Sequence, residues 1–554
     1  MNHKAPYSNA SWLIWVTGCL LLLVTMGGCD FEQARSEESL NQPVEDEQDL
    51  VPGSTASPTP NKVSSVAAYP TEFSPSSFPT AVPTESAPTP LPTLVPSPTP
   101  IREAAIYVPD ILREETIAAI NLPNFIDGNW DWKFTDELGE ANIVIVEGSG
   151  QINAGEQSIA LIVPFTSPME GLPLVKAEEY LLNPSGEITL SHWDEIPAGF
   201  KALRIDGYLP YMIEYPLKQY WSVNSSAEYE IPAHAIGMAL RQELSNARTI
   251  HIAAVGDIML DRSLGHVIES GDLSYPFAEV REALDTADIT VGNLESSLGD
   301  IGEPVAKSYN FQAPPKAAES LALAGFDVMS LANNHAMDFG SEALIQAIDL
   351  LSRSGMAAVG AGSDYSDARK PVILEEAGIR IAFLAYVDVP VEVTGFDTRT
   401  WEAGAKSPGL AWAYPNLISQ DVRTAQANSD VVVVLLHSGY EFLQDPSPPQ
   451  IASARAAIDA GASLVISHHS HLLQGVEFYK DGVIAYGLSN FAFDMDGSPD
   501  SAILNVWLDG EGVHHIEFVP VSIGPWGQPA LAMPIDSQRI RDEIYRLTRL
   551  LNQP

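Results

Sequence analysis

The sequence predicts a layered α/β protein, and three observations carry that expectation. From Thr249 onward, short β-branched apolar runs alternate with stretches of helical apolar spacing, the pattern of sheets with helices packed on them. Each apolar run ends in a group of polar residues rather than in more apolar chain. Of 554 residues, 45% are apolar and 18% charged, enough apolar surface to bury sizeable cores. Length alone allows about two to four domains. Acidic residues outnumber basic ones 72 to 29, a formal charge of −43. Such a chain repels a nucleic-acid backbone, so nucleic acid is excluded as a partner class. Its two cysteines are Cys19 and Cys29, which leaves the folded part without a disulfide framework or a thiolate zinc site.

The N-terminus reads as an export signal. Lys4 is followed by an apolar stretch from Trp12 to Met26, broken by Thr and Gly alone, and then by Met26-Gly27-Gly28-Cys29-Asp30. Small residues before a cysteine at the end of an apolar stretch resemble a bacterial lipobox, although Met26 departs from its usual Leu. The resemblance implies cleavage after residue 28 and lipidation of Cys29, which would place the chain on the extracytoplasmic face of the bacterial membrane. An uncleaved anchor or an ordinary signal peptide is the alternative. Residues 29–102 are expected to form a tether, acidic at first and then rich in Pro, Ser and Thr. Between Val51 and Pro100, 30 of 50 residues are Pro, Ser or Thr, and the charged ones are Lys62, Glu72 and Glu85. This composition has too little apolar surface to fold, and favours an extended, partly polyproline chain.

Residues 103–246 are expected to form a smaller accessory α/β domain. Ala141–Val146 and Ile159–Pro164 have the length and composition of strands, and Arg113–Ile120 has helical spacing. The phrases SIALIVPFTSPMEGLPLVKAEEYL, SHWDEI and EYPLKQYW resemble periplasmic phosphate- or solute-binding proteins, which implies a bound solute. An accessory domain without a ligand is the reading the residues favour. His192 and His234 stand alone here and are expected to be structural.

In residues 247–554 the strand ends carry the chemistry. Ile250–Val255 leads into Gly256-Asp257, and Asp288–Val291 into Gly292-Asn293-Leu294-Glu295. Val328–Ala332 leads into Asn333-Asn334-His335, and Val431–Leu436 into His437-Ser438-Gly439-Tyr440-Glu441. Leu464–Ile466 leads into Ser467-His468-His469-Ser470-His471, and Val483–Tyr486 into Gly487-Leu488-Ser489-Asn490. Lys316–Gly325, Ser341–Gly355 and Ile451–Gly461 have helical spacing between them. Sites in α/β sheets lie beyond the carboxyl ends of the strands. His469 and His471 would face the same way if that segment were extended. Oxygen from Asp257 and Asn334 with imidazoles from His437, His469 and His471 suits manganese, iron or zinc. His251, His266, His514 and His515 lie off these strand ends and are expected to be structural.

The motifs AVGDIMLDR (254–262), GNLESSL (292–298), SLANNHAMDFG (330–340), GAG (360–362), HSGYEF (437–442) and SHHSHLLQGVEFYKDGVIAYGLSNFAFD (467–494) resemble the CapA capsule-synthesis family. That family is associated with poly-gamma-glutamate capsule production and is similar in fold to calcineurin-like metallophosphatases. The resemblance runs in order over about 249–530. It implies a metallophosphatase-like four-layer α/β sandwich and a divalent metal, one or two ions. It further implies that Asp257, Asn334, His437, His469 and His471 are metal ligands. Glu295 would substitute for a bridging Asp, since Asn293 stands at that Asp's place, and Met259 stands where the superfamily carries a His. An amide is a poorer bridge than a carboxylate, which weakens the case for a second ion. His335 would assist the leaving group, Asp338 would orient His335, and Glu441 or Glu295 would assist.

The function this implies is synthesis, anchoring or release of an anionic extracellular polymer of polyglutamate type by a metal-dependent hydrolase. Its partners would be the polymer or its precursor, membrane capsule-synthesis proteins, and the membrane itself through the lipid anchor. The alternative is a non-catalytic polymer-binding or scaffold subunit that has kept the fold and lost the metal.

Overall fold

The computed structural model describes residues 102–552, except 110–111, 122–129, 184–185, 246–248, 393–394 and 495–496. The expected signal, Cys29 and the tether lie outside the described residues. No helix among the described residues is long and apolar enough to cross a membrane.

Residues 102–245 build a seven-stranded sheet from β1 (Arg102–Tyr107), β2 (Trp130–Phe134), β3 (Ile143–Glu147), β4 (Ile152–Pro164), β5 (Thr189–His192), β6 (Phe200–Ala202) and β7 (Lys218–Ser225). Its order is β2-β1-β3-β7-β4-β5, with β6 beside β4. Helices α1 (Arg113–Ile120), α2 (Leu174–Leu182) and α3 (Glu230–Ser245) accompany it. Ile236 and Leu240 of α3 share a core with Ile143, Ile145, Trp221 and Val223. His192 closes β5, and His234 is exposed on α3.

The chain then enters β8 (Ile250–Met259), buried at all ten residues. It continues through α4 (Arg262–Ser270), β9 (Ile289–Leu294), α5 (Ala317–Leu323), β10 (Val328–Ser330), α6 (Gly340–Arg353) and β11 (Ala357–Val359). A second run comprises β12 (Val372–Glu376), β13 (Ile379–Asp388), α7 (Pro415–Gln426), β14 (Val431–Ser438), α8 (Pro448–Asp459), β15 (Leu464–His468), β16 (Val476–Tyr479) and β17 (Gly482–Ala485). The last elements are β18 (Asn490–Phe493), β19 (Asp500–Leu508), β20 (Val513–Ile523), β21 (Pro529–Leu531) and α9 (Pro534–Leu551). The first of two large sheets runs β11-β10-β9-β8-β19-β20-β21, with β18 paired to β8. The second runs β12-β13-β14-β15-β17-β16.

Alternation along the strands fixes the layering. Val433 and Leu435 of β14 share one core with Ala254 and Val291 of the first sheet. Val432, Val434 and Leu436 point the other way, onto Ile418 and Val422 of α7 and Ala454 and Ala457 of α8. Because β14 is buried on both faces, it reads as an unbroken apolar run instead of an alternating one. Leu264, Leu321 and Leu344 of α4, α5 and α6 pack with the first sheet. The result is the four-layer α/β sandwich, two facing sheets with helices outside. Local signals set the helix ends: Asp261 caps α4 and Gly271 closes it in the left-handed region, while Ser447 and Gln450 form a capping box at α8.

Residues 102–245 and 250–552 meet at specific contacts. Lys201, buried, donates to Tyr545 Oη, Ser167 O and Glu170 Oε1, each at 2.8 Å. Arg204 pairs with Glu517 at 2.5 Å. His515 packs against Trp193 across this contact, and also against Trp507, on which His251 stacks with ring centroids 4.5 Å apart. These histidines are packing groups, away from the strand ends.

Candidate metal centre

The parallel strands of both sheets end at one place. Register sets Asp257 beside Asn293, Asn293 beside Ser330, and His437 beside His468. Strand β8 runs on through Asp257 to Met259, past the strand end read from sequence, with a register shift between Ala254 and Asp257. The glycine before Asp257 is required by close approach: a Cβ on Gly256 would stand 2.0 Å from Ser489 O. Asp257 N donates to that same carbonyl at 3.0 Å.

Asp257, Glu295, Asn334, His437, His469 and His471 come together, and all are buried. Ligand atoms of Glu295, His437 and His469 lie within 4.8 Å of one another, as do those of Asp257, Glu295 and His471. The half-buried Glu441 forms a third such group with His469 and His471. Glu295 Oε1 stands 3.6 Å from His437 Nε2 and 3.8 Å from His471 Nε2. Asn334 Oδ1 lies 2.7 Å from His437 Nε2. Both Glu295 oxygens and His469 Nδ1 are buried without a hydrogen-bond partner, an arrangement that costs several kcal/mol unless a further partner satisfies it (roughly 1–3 kcal/mol per group). Burial, then the charges of Asp257 and Glu441, push the Glu295 carboxyl well up. Burial, then neighbouring imidazoles, hold His437 and His469 well down. The unpartnered His469 Nδ1 and Glu295 oxygens, set among the buried Asp257, His437 and His471, make a donor set that fits a divalent metal.

His469 and His471 reach the cluster by a different route from the extended segment expected. β15 ends at His468, and both residues take left-handed backbone angles, φ 87° and 52°. His469 N then donates to Asp257 Oδ2 at 3.1 Å, and His471 Nδ1 lies 2.7 Å from Asn490 Oδ1. His468 turns away, with Nε2 3.1 Å from Val255 O. The two departures from the superfamily pattern have definite places. Asn293 Nδ2 donates to Asp257 Oδ1 at 2.9 Å and faces His437 Nδ1 at 3.1 Å, while its oxygen accepts from Asn333. The amide thus presents N–H, not a lone pair, toward the cluster. Met259 is buried in an apolar group with Phe311 and Phe493.

His335 and Asp338 form an adjoining pair, with His335 Nδ1 2.7 Å from Asp338 Oδ2. Burial outweighs the Asp338 charge and lowers the His335 pKa. Sequence reading missed the cation that holds this pair. The Lys307 side chain is buried, its ammonium 2.7 Å from both Asp338 Oδ1 and Glu392 Oε1, and it donates to Asn334 O at 2.6 Å. That ammonium also stands 5.1 Å from the Trp401 ring centroid. A signal was present: Lys307 is the only basic residue between Arg281 and Lys316.

Residues 251–495 match the family described as bacterial capsule synthesis protein PGA_cap. The chain is 31% identical to the capsule biosynthesis protein CapA of Bacillus anthracis over 306 residues, covering 53% of this chain and 71% of that one. It is also 31% identical to the PGA biosynthesis protein CapA of Bacillus subtilis over 302 residues, covering 53% and 77%. A solved structure of a hypothetical protein from Thermus thermophilus aligns with 49% of this chain and 98% of its own, at 13% identity and a TM-score of 0.32. The identity and coverage of the two Bacillus proteins, with the family match over the site-bearing strands, establish that the chain belongs to the CapA family of bacterial capsule synthesis proteins.

Proposed function

We propose that this chain is a metal-dependent hydrolase, held on the extracytoplasmic face of the membrane through a lipidated Cys29, that acts on an anionic capsule polymer of polyglutamate type in its synthesis, anchoring or release. The observation that carries the reading is the buried cluster in which Glu295 and His469 present unsatisfied donor atoms to one another's neighbours. Asp257, Glu295, Asn334, His437, His469 and His471 would hold one divalent ion, since the Asn293 amide faces the cluster with its N–H. A divalent ion there supplies Lewis-acid polarisation of the scissile group and a more acidic water.

The remaining chemistry belongs to the chain. Asp338 fixes the His335 ring through Nδ1, which leaves Nε2 as the atom that transfers a proton to the leaving group. Burial lowers the His335 pKa, so the resting ring is neutral with a lone pair on Nε2, and that atom takes up the proton released by the attacking water before passing it to the leaving group. Lys307 is a positioning residue, holding Asp338 and the Asn334 backbone in register. Glu441, at the edge of the cluster, is placed to assist proton removal from water.

Metal analysis of the purified full-length chain tests this. About one equivalent of manganese, iron or zinc is expected in the wild type and none in His437→Ala or His469→Ala. A wild type that stays metal-free after all three metals are supplied would overturn the hydrolase reading.

A further inference from the structure

The rim of the metal cluster carries a guanidinium that the hydrolytic chemistry above does not use. Arg262 opens α4, directly after the strand that supplies Asp257. Its Nη1 donates to Asp494 O at 2.9 Å. The guanidinium carbon stands 4.9 Å from the centroid of the Phe311 ring. The Phe311 ring lies 4.4 Å from the His335 ring and 6.2 Å from Phe493, which in turn lies 5.4 Å from His471. One aromatic wall therefore touches the exposed cation, the proton-transfer histidine and a candidate metal ligand.

The open fork and the backbone of Arg262 fit a residue placed for a ligand. Among the described residues, the Arg262 guanidinium makes one hydrogen bond, to the Asp494 carbonyl, and has no carboxylate partner, which leaves the rest of its fork open. Arg262 also sits at φ 52°, in the left-handed region. Phe442, His469, His471 and Ser489 share that conformation and surround the same cluster. Backbone strain of this kind persists where the surroundings over-determine it, and it concentrates at binding and catalytic sites.

We propose that Arg262 forms an oxyanion subsite beside the metal cluster, taking a carboxylate or phosphoryl group of the substrate next to the bond that is cut. A planar fork stacked on an aromatic ring suits bidentate recognition of either group. The inference rests on the hydrolase reading and names what its substrate must carry.

Calorimetric titration of the manganese-loaded full-length chain with inorganic phosphate, and separately with a γ-linked glutamate trimer, tests it in wild type, Arg262→Lys and Arg262→Gln. Arg262→Gln should weaken the probe that binds by about 10- to 100-fold. Arg262→Lys, a point charge without the fork, should fall between, with manganese stoichiometry equal in all three. The Lys variant and matching circular dichroism guard against a folding defect. The probe that responds identifies the group, phosphoryl or carboxylate. Affinities within twofold of wild type for both probes, or no binding of either by the wild type, would overturn the subsite and leave the metal result standing. A wild type that takes up no manganese, yet loses anion affinity on Arg262→Gln, would retain the subsite and remove the hydrolase reading.

Discussion

Replacing Lys307 by methionine should cost the fold about 3–5 kcal/mol, the usual penalty for removing one partner from a buried ion pair. Its side chain is fully buried between Asp338 and Glu392, at 2.7 Å from an oxygen of each. At an effective dielectric near 20, each contact contributes about 6 kcal/mol of Coulomb attraction. Desolvation of the ammonium offsets much of that, but the desolvation of two carboxylates remains when the ammonium is removed. The assay is urea unfolding followed by tryptophan fluorescence, with slopes compared so that a change in midpoint reports stability. Lys176→Met, at the exposed pair with Glu179, is the control and should leave the midpoint unmoved. Combining Lys307→Met with Asp338→Asn and Glu392→Gln should recover much of the loss, because the stranded charges are gone. A Lys307→Met protein within about 1 kcal/mol of wild type would refute the burial argument. The positioning role assigned to Lys307 would fall with it.

Two further outcomes are expected. Asn293→Asp replaces the N–H that faces Asp257 and His437 with a second carboxylate. Manganese stoichiometry should rise from one toward two and the metal-free form should lose about 1–3 kcal/mol; unchanged stoichiometry would refute the account of why one ion is held. The pH response concerns His515, whose pKa burial, then Arg204 and Lys201, push down to about 3. The unfolded chain takes up this proton near pH 6.5, so the stability His515 contributes is complete above that pH and is lost as pH falls toward 3. The slope is up to about 1.4 kcal/mol per pH unit. His515→Gln should flatten the acid limb of urea midpoint against pH by about one proton, and an unchanged limb would show that His515 protonates while folded.

Much of the site was legible in the residues because strand ends are local signals. A β-branched run followed by Asp, Asn or His marks both the strand and the edge where a ligand sits, so Asp257, Asn334, His437, His469 and His471 were readable from sequence. The layered α/β class was legible in the same way, since apolar runs such as Val431–Leu436 announce buried strands, while the four-layer sandwich followed from the family resemblance. The pairing of His335 with Asp338 followed from the family resemblance, and the two meet at 2.7 Å.

The rest depends on distance along the chain. Lys307 meets Glu392 across 85 positions, and no periodicity in either segment encodes that meeting. The cation is held because two buried carboxylates require it, a condition that exists only after the sheets close. The orientation of Asn293, with its N–H toward Asp257, is likewise set by Asn333 on a neighbouring strand end. His469 and His471 are named by sequence, but their direction comes from left-handed turns that the packed strands impose. Sequence by itself determined the strands, the layers and the donor atoms at their ends. Tertiary structure decided which donors face one another, because burial and charge pairing act only between segments that folding has already brought together.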